Sequence, residues 1–112
     1  MALYLVTGEY VDPGPLLPPQ QVVQMLEQLV IPSFDALAKL EKDKKILGGG
    51  IIAGARAAAF IVNVASNDEL NRMIMELPFW GVVNWKATPL LGFKERAVDE
   101  KKAADRIKAM SK

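Results

Sequence analysis

The chain has 112 residues, a formal net charge of +1, and neither cysteine nor histidine. This length fits one domain whose modest core would gain stability from oligomerisation, and the balanced charge offers no basic patch for nucleic acid or anionic membranes. Without cysteine and histidine there are no disulfides, no thiol nucleophile and no side chain of the type that most often binds metals, so we expect no metal and no cofactor. The balanced charge favours a partner that is a small molecule or a protein.

Residues 2–10 are apolar and rich in strand-forming side chains, and the proline-containing stretch 12–15 follows them. Because proline cannot donate to a sheet, a first strand is predicted to end there. The apolar run at residues 2–6 has no basic segment before it and is too short for a signal peptide or a membrane span. A cytoplasmic protein is therefore expected.

After Pro19, apolar residues recur at helical spacing as far as Leu40, which predicts a first helix. Pro32 falls inside this helix and has no backbone N–H to donate. We therefore expect the helix to kink or restart near Ile31, with Ser33 capping its second half.

Residues 46–54 and 57–64 are two largely apolar runs joined by a Gly-Ala-Arg turn, which predicts a β-hairpin. Three consecutive glycines, at 48–50, weaken the first run as a strand. They indicate a bulge, or a close approach by another backbone or by a ligand. They are not a phosphate-binding loop, because the Lys-Ser or Lys-Thr ending of such loops is missing.

A second helix follows, capped by Ser66 or Asn67, with Glu69 as the acid of a capping box if Ser66 is the cap. Its apolar stripe consists of Leu70, Met73, Ile74 and Leu77. Residues 81–91 then alternate as a strand that Pro89 interrupts. One face of that strand carries Val83, Trp85 and Ala87, and the other carries Asn84, Lys86 and Thr88.

The last segment, from Lys94 to Met110, predicts a highly charged helix whose apolar stripe is too thin to hold it alone. We expect it to dock on a neighbouring subunit or to fray. The chain therefore divides into a domain at residues 1–92 and a charged C-terminal helix, or oligomerisation arm, at residues 93–112.

The order strand, helix, strand, strand, helix, strand predicts an α+β fold, a ferredoxin-like βαββαβ sandwich with two helices on one sheet face. Strands one, three and four are apolar on both faces, so a monomer would expose a broad apolar surface. Two protomers that place these sheets face to face would cover it. A homodimer or a higher homo-oligomer is therefore expected.

The segment at residues 66–90, in which a capped helix stops at Leu77 and Pro78 and turns through Phe79 and Trp80 into a strand, resembles the muconolactone isomerase family. The resemblance implies a dimeric α+β barrel, assemblies built from dimers, and an enzyme that moves a proton within an unsaturated lactone. The chain departs from the family at the three glycines and at Asn71, where the family carries Trp, Arg and His side chains. Muconolactone itself is therefore not the expected substrate.

Lactone isomerisation requires a base beside a carbonyl and a group that holds the developing charge. Glu9 or Tyr10, at the end of strand one, can supply the base, and Arg56 at the hairpin turn can clamp a carboxylate. These three residues are the catalytic candidates. The alternatives are a solvated strand-end charge for Glu9, and an exposed turn residue or subunit ion pair for Arg56.

Four further residues are candidates for binding the substrate: Tyr4, Trp80, Asn84 and Lys86. Lys86 lies between apolar neighbours and is costly to bury unless a carboxylate, a subunit or a ligand meets it; a salt-bridged or snorkelling lysine is the alternative. The aromatic side chains can line a pocket for a planar ligand, or they can be core and interface anchors.

Three functions remain open. The first is an isomerase whose partner is a small apolar organic ligand, an unsaturated lactone or carboxylic acid on which it performs cofactor-free proton transfer. The second is a cofactor-free monooxygenase of the antibiotic-biosynthesis type, in which Trp80, Trp85, Asn84 and Tyr4 bind a reduced polycyclic substrate. The third is a non-catalytic oligomer that binds a metabolite or builds an assembly. A closed apolar pocket with converging polar groups would favour an enzyme or a metabolite binder.

Overall fold

The computed structural model describes residues 2–11 and 17–111. The strands are β1 (Ala2–Tyr10), β2 (Ile46–Ile51), β3 (Ala57–Val64) and β4 (Val83–Leu90). The helices are α1 (Pro19–Met25), α2 (Ile31–Lys42), α3 (Asn67–Met75) and α4 (Phe93–Met110), with a π-helical turn at Leu26–Val30 and a 3-10 turn at Trp80–Val82. Within the described ranges, no helix is both long and apolar enough to cross a membrane. The proline-containing stretch at residues 12–15, which is predicted to end the first strand, lies outside the described residues.

The four strands form one antiparallel sheet in the order β2-β3-β1-β4, so β2 and β4 are its edges. This order and the packing of helices on one sheet face confirm the ferredoxin-like α+β fold with an additional C-terminal helix. The register places alternate residues of all strands on two distinct faces. We call the side that packs on the helices the helix face, and the opposite side the open face.

The core lies on the helix face and is apolar. Every second residue of β3 is buried in it, and Leu70 and Ile74 of α3 pack against that row. The predicted stripe of α3 is confirmed, since Leu70, Ile74 and Leu77 are buried and Met73 packs at the margin of the core. The helix begins where predicted. Ser66 accepts a hydrogen bond from the Glu69 backbone nitrogen at 3.2 Å.

The Glu69 carboxylate does not form the predicted capping box, although it does bind at the start of α3. Instead of reaching the Ser66 nitrogen, it accepts from the Ala65 nitrogen at 2.7 Å and from Lys45 Nζ at 2.5 Å. The hydrogen bond from Lys45, followed by that from Ala65, lowers the pKa of Glu69. One carboxylate thus joins the start of α3 to the loop before β2.

The predicted first helix is divided into α1 and α2, and the predicted role of Ser33 as a cap is wrong. Pro32 cannot donate to the carbonyl four residues before it, and the chain widens into the π-helical turn before α2 begins at Ile31, so the restart is confirmed. Ser33 lies inside α2 and is fully buried. Its hydroxyl donates to the Leu29 carbonyl oxygen at 2.6 Å and accepts from the Phe79 nitrogen at 2.9 Å.

Strand β2 ends at Ile51, earlier than the predicted residue 54, because the chain turns there: the Ala55 nitrogen donates to the Ile52 carbonyl oxygen at 3.0 Å. The predicted bulge is present as a register shift between Ile46 and Gly48. Gly49 explains the close approach, because it has a φ of +127° and an added Cβ would stand 2.2 Å from the Ala59 carbonyl oxygen. The backbone of β3 therefore requires glycine at this position.

Strand β4 continues through Pro89, which was predicted to interrupt it. Pro89 pairs with Tyr4 of β1, and the strand ends at the next residue, Leu90. The physical reason is the position of β4 at the edge of the sheet, where amide nitrogens that face away from the neighbouring strand need no partner and proline is tolerated.

The turn between α3 and β4 holds the helix layer to the sheet. The Phe79 ring is buried and packs edge-on against Phe34 of α2, with ring centroids 5.9 Å apart, and against Trp85 of β4, at 5.8 Å. The Phe79 nitrogen donates to Ser33, and Trp85 Nε1 donates to the Trp80 carbonyl oxygen at 3.2 Å. Phe79 therefore connects α2 to β4 through the protein interior.

Replacing Gly49 with alanine should destabilise the fold strongly, whereas Gly50→Ala should not. Backbone strain at a positive φ costs roughly 1–3 kcal/mol, and the collision with Ala59 adds to it. At Gly50 an added Cβ meets nothing within 4 Å. Thermal unfolding of both variants tests this, and equal midpoints would show that the backbone at Gly49 does not approach Ala59 in this way.

Ser33→Ala should lower the free energy of unfolding by about 1–3 kcal/mol, because the Phe79 N–H stays buried without its acceptor. Ser111→Ala is the matched control, since that exposed hydroxyl only donates to the Lys108 carbonyl oxygen. Urea unfolding of the two variants provides the comparison. A Ser33→Ala protein as stable as the parent would mean that the hydroxyl does not connect α2 to the Phe79 turn.

Candidate functional site

The space between the sheet and the helices is occupied by side chains of the chain itself. Val6, Phe60 and Val62 are almost completely buried there, and Tyr4 and Trp85 pack against them. The aromatic contacts of Phe79 fill the end beneath α2. Polar side chains that can act on a ligand therefore lie on the open face or around the rim of the sheet.

The open face brings together polar residues of two neighbouring strands. In the antiparallel register, Thr7 of β1 lies opposite Lys86 of β4, and Glu9 lies opposite Asn84. Opposite residues on one face have Cβ atoms about 4.5–5.5 Å apart, so the side chains are direct neighbours. We call Thr7, Glu9, Asn84 and Lys86 the polar block. It unites three of the predicted site residues.

The polar block carries the groups that proton transfer needs. Glu9 supplies a carboxylate, Lys86 an ammonium group, and Asn84 and Thr7 an amide and a hydroxyl. Glu9 and Lys86 are diagonal neighbours on the face, and neither belongs to the ion pairs found among residues 2–11 and 17–111, which are Lys45–Glu69 and Arg96–Glu100. Both charges can therefore contact a ligand laid across the block.

Apart from Thr88, which lies two residues from Lys86 on β4, the residues around the polar block on the open face are apolar or small. Ala59 lies opposite Thr7 on the β3 side, Ala57 lies opposite Glu9, and Gly50 extends the row beyond Ala59. Leu5 lies two residues from Thr7 on the same strand and faces the same side. None of these residues is buried. The surroundings suit a small ligand with an apolar body and a polar end.

Tyr10 and Arg56 form a separate cluster at the end of the sheet. Tyr10 follows Glu9 and points to the helix face, where its hydroxyl lies 3.6 Å from Met25 Sδ. The guanidinium carbon of Arg56 lies 5.3 Å from the centre of the Tyr10 ring, a cation–π contact. The sheet separates this cluster from the carboxylate of Glu9.

The remaining predicted site residues have contacts of their own. Tyr4 points to the helix face, and its hydroxyl donates to Asn67 Oδ1 at the start of α3. Trp80 lies in the 3-10 turn with 43% of its surface exposed. Neither is part of the polar block. Sequence patterns do not single out Thr7 as a member; the pairing of β1 with β4 does.

Two surface grooves flank the helices. One, of about 410 Å³, lies between α2 and α3 and carries charges of both signs, among them Lys39, Glu69 and Arg72. The other, of about 200 Å³, lies between α2 and β2, and Glu41 is its only ionisable residue. In the part of the chain that the structure describes, no three acidic side chains gather in a way that could hold a metal ion.

Comparisons with known proteins give a structural likeness and no sequence match. No family model matches the chain, and no curated protein sequence matches it. Among solved structures, the chain is similar to the crystal structure of muconolactone isomerase, with 20% sequence identity and a TM-score of 0.64. The likeness covers 80% of this chain and 88% of that one. At this identity the likeness establishes the fold.

Proposed function

We propose that the protein is a muconolactone isomerase-like enzyme that moves a proton within a small unsaturated lactone or carboxylic acid without a cofactor. The observation that carries the proposal is the polar block, which places a carboxylate, an ammonium group and an amide side by side on the open face. The fold shared with muconolactone isomerase supports the same class of reaction.

In this proposal Glu9 is the catalytic base. Its carboxylate removes a proton from the carbon beside the substrate carbonyl, the electron pair moves to the carbonyl oxygen, and the protonated Glu9 returns the proton further along the conjugated system. Lys86 holds the negative charge that develops on oxygen, or the substrate carboxylate, and Asn84 donates a hydrogen bond to it. The atoms and charge of the substrate are conserved.

The second part of the proposal is a homodimer in which two open faces pack together. The open face exposes Leu3, Leu5, Ile61 and Leu90 to different degrees, and none of them is buried within one chain. Sheets that pack face to face lie about 10 Å apart, which would exclude water from the polar block and strengthen its electrostatic interactions. The small side chains beside the block leave room there for a ligand.

The monooxygenase hypothesis has less support. Tyr4 and Trp85 belong to the helix face, whereas Asn84 belongs to the open face. The aromatic and amide groups that the hypothesis needs therefore lie on opposite sides of the sheet. The remaining alternative is a non-catalytic oligomer, and an activity measurement distinguishes it from an isomerase.

Activity can be measured as deuterium exchange beside the carbonyl of small unsaturated lactones that carry a carboxylate, muconolactone included, by NMR in D₂O. Glu9→Gln should slow exchange by roughly 100-fold or more, and Lys86→Met by a similar factor, because the first removes the base and the second the charge that stabilises the enolate. Glu27→Gln and Lys42→Met, both on the exposed helix surface, serve as controls. If the parent protein and Glu9→Gln exchange deuterium at the same rate, the isomerase proposal is wrong and the non-catalytic oligomer is the remaining hypothesis.

The dimer has its own test. Leu5→Asp places an unpaired carboxylate between the two sheets, so light scattering at micromolar protein concentration should show the molar mass of the dimer falling to that of one chain. Val23→Asp adds the same charge on α1, where the parent side chain is 51% exposed, and should leave the dimer intact. If Leu5→Asp keeps the parent's mass, the open faces do not form the interface.

A further inference from the structure

Helix α4 has little contact with the domain that precedes it. Its 18 residues span about 27 Å at 1.5 Å per residue, and none of them is buried. Phe93 is 97% exposed, Ile107 64% and Met110 79%. The chain measures 72 × 31 × 24 Å, as expected for a helix that projects from a compact domain. A helix of this kind is only marginally stable in water without a surface to pack on.

The apolar residues of α4 share one side of the helix. Phe93, Ala97, Ala104 and Ile107 fall within an arc of about 80°, because successive residues are 100° apart. Lys94, Lys101 and Lys108 recur at seven-residue spacing along one border of this stripe. Val98 lies on the opposite side of the helix, because its separation of nine residues from Ile107 corresponds to two and a half turns.

The groove between α2 and β2 has the complementary character. Its apolar lining includes Phe34 and Ile51, which are 39% and 48% exposed, and Glu41 on α2 supplies a negative charge beside it. A helix with an apolar stripe and lysines along its border fits such a groove, as amphipathic helices do in helix-in-groove complexes.

The charges of the two parts of the chain are also complementary. Helix α4 carries six Lys and Arg and four Asp and Glu, a net charge of +2. Residues 1–92 carry seven Lys and Arg and nine Asp and Glu, a net charge of −2. The domain and the helix therefore attract each other.

Helix α4 does not occupy the groove of its own chain, since none of its residues lines that groove. It leaves the sheet at β4, and the groove borders β2 at the other edge. The connection consists of Leu91 and Gly92, which reach at most about 7 Å, whereas β2 and β4 are three strand spacings, or about 14 Å, apart. The start of α4 is therefore held at the edge of the sheet opposite the groove, and to fill the groove of its own chain the helix would have to turn back across the whole sheet. The α4 of another molecule can lie along the groove without that turn.

We propose that α4 of one copy of the chain binds in the α2–β2 groove of another copy. The apolar stripe with Ile107 lies against Phe34 and Ile51, and the lysines along its border approach Glu41. This interface is separate from the open face, and the proposal does not depend on the isomerase reaction.

Cross-linking tests the contact directly. Because the chain has no cysteine, single-cysteine variants report proximity without background. Ile107→Cys and Ile51→Cys chains of different mass are expressed together as full-length proteins and exposed to a mild oxidant. We expect a disulfide-linked heterodimer, identified by mass spectrometry. Val98→Cys, on the other side of α4, and Ile52→Cys, which neighbours Ile51 outside the groove lining, are the matched controls and should give at least about tenfold less product.

A second measurement follows the assembly itself. Ile107→Asp should raise the protein concentration needed for assembly through α4 by about tenfold or more, because it removes a buried apolar contact from the proposed interface. Val98→Asp should leave that concentration unchanged. The Leu5→Asp variant, whose open face is disrupted, should still give the Ile51–Ile107 cross-link. This outcome separates the arm contact from the proposed dimer.

Three results would overturn the proposal. One is a cross-link of Ile107→Cys chains only with each other, which would indicate pairing between two α4 helices. Another is equal product from the Val98→Cys control, which would indicate collisions without a defined contact. The third is no cross-link together with unchanged mass of Ile107→Asp, which would mean that α4 packs on something other than this chain.

Discussion

The contact of Phe79 with α2 and β4 is the constraint on which the rest of the structure depends. Its ring packs between Phe34 and Trp85, and its nitrogen donates to the fully buried Ser33. An edge-on aromatic contact contributes about 0.5–1.5 kcal/mol beyond the burial of its area, and a buried N–H requires an acceptor. These contacts hold the helix layer at one distance from the sheet and fill the space beneath α2.

Because side chains of the core fill the space between the sheet and the helices, the proposed ligand site lies on the other side of the sheet. A strand directs successive side chains to opposite faces, so the residues adjacent to the core positions of β1 and β4 must point outward. Glu9 and Lys86 are such residues. The same alternation that buries Val6 between Leu5 and Thr7 places the polar block on the face that a second subunit would cover. The buried core positions and the candidate site thus both follow from the two-residue alternation of side chains along each strand.

Much of the fold could be predicted from local patterns. Leu70 and Ile74 recur at helical spacing, and Ser66 is a local cap signal, so the stripe and the Ser66 cap are confirmed. The predicted capping box is not formed, because the Glu69 carboxylate accepts from the Ala65 nitrogen instead of the Ser66 nitrogen. Ser33 was misassigned because its partner, the Phe79 nitrogen, is 46 residues away and no local pattern announces it. Pro89 was misread because its tolerance depends on β4 being an edge strand, which is a property of the whole sheet.

The candidate site could be predicted only in part, for the same reason. Residue types single out Glu9, Asn84 and Lys86, and alternation places Asn84 and Lys86 on one face. That Glu9 joins them depends on the register of β1 against β4, which non-local pairing sets. Arg56 is carried by the hairpin turn, where it lies over Tyr10 instead of the polar block.

The three glycines of β2 show how the demands of the fold differ from those of an interface. Gly49 is required by the backbone of β3, because a side chain there would strike Ala59. Gly48 and Gly50 meet no such obstacle, since an added Cβ would have nothing within 4 Å. Within one chain, glycine at these two positions only weakens the strand. Both belong to the open face. In the proposed dimer, the absence of side chains there would let a second sheet approach closely or leave space for a ligand beside the polar block.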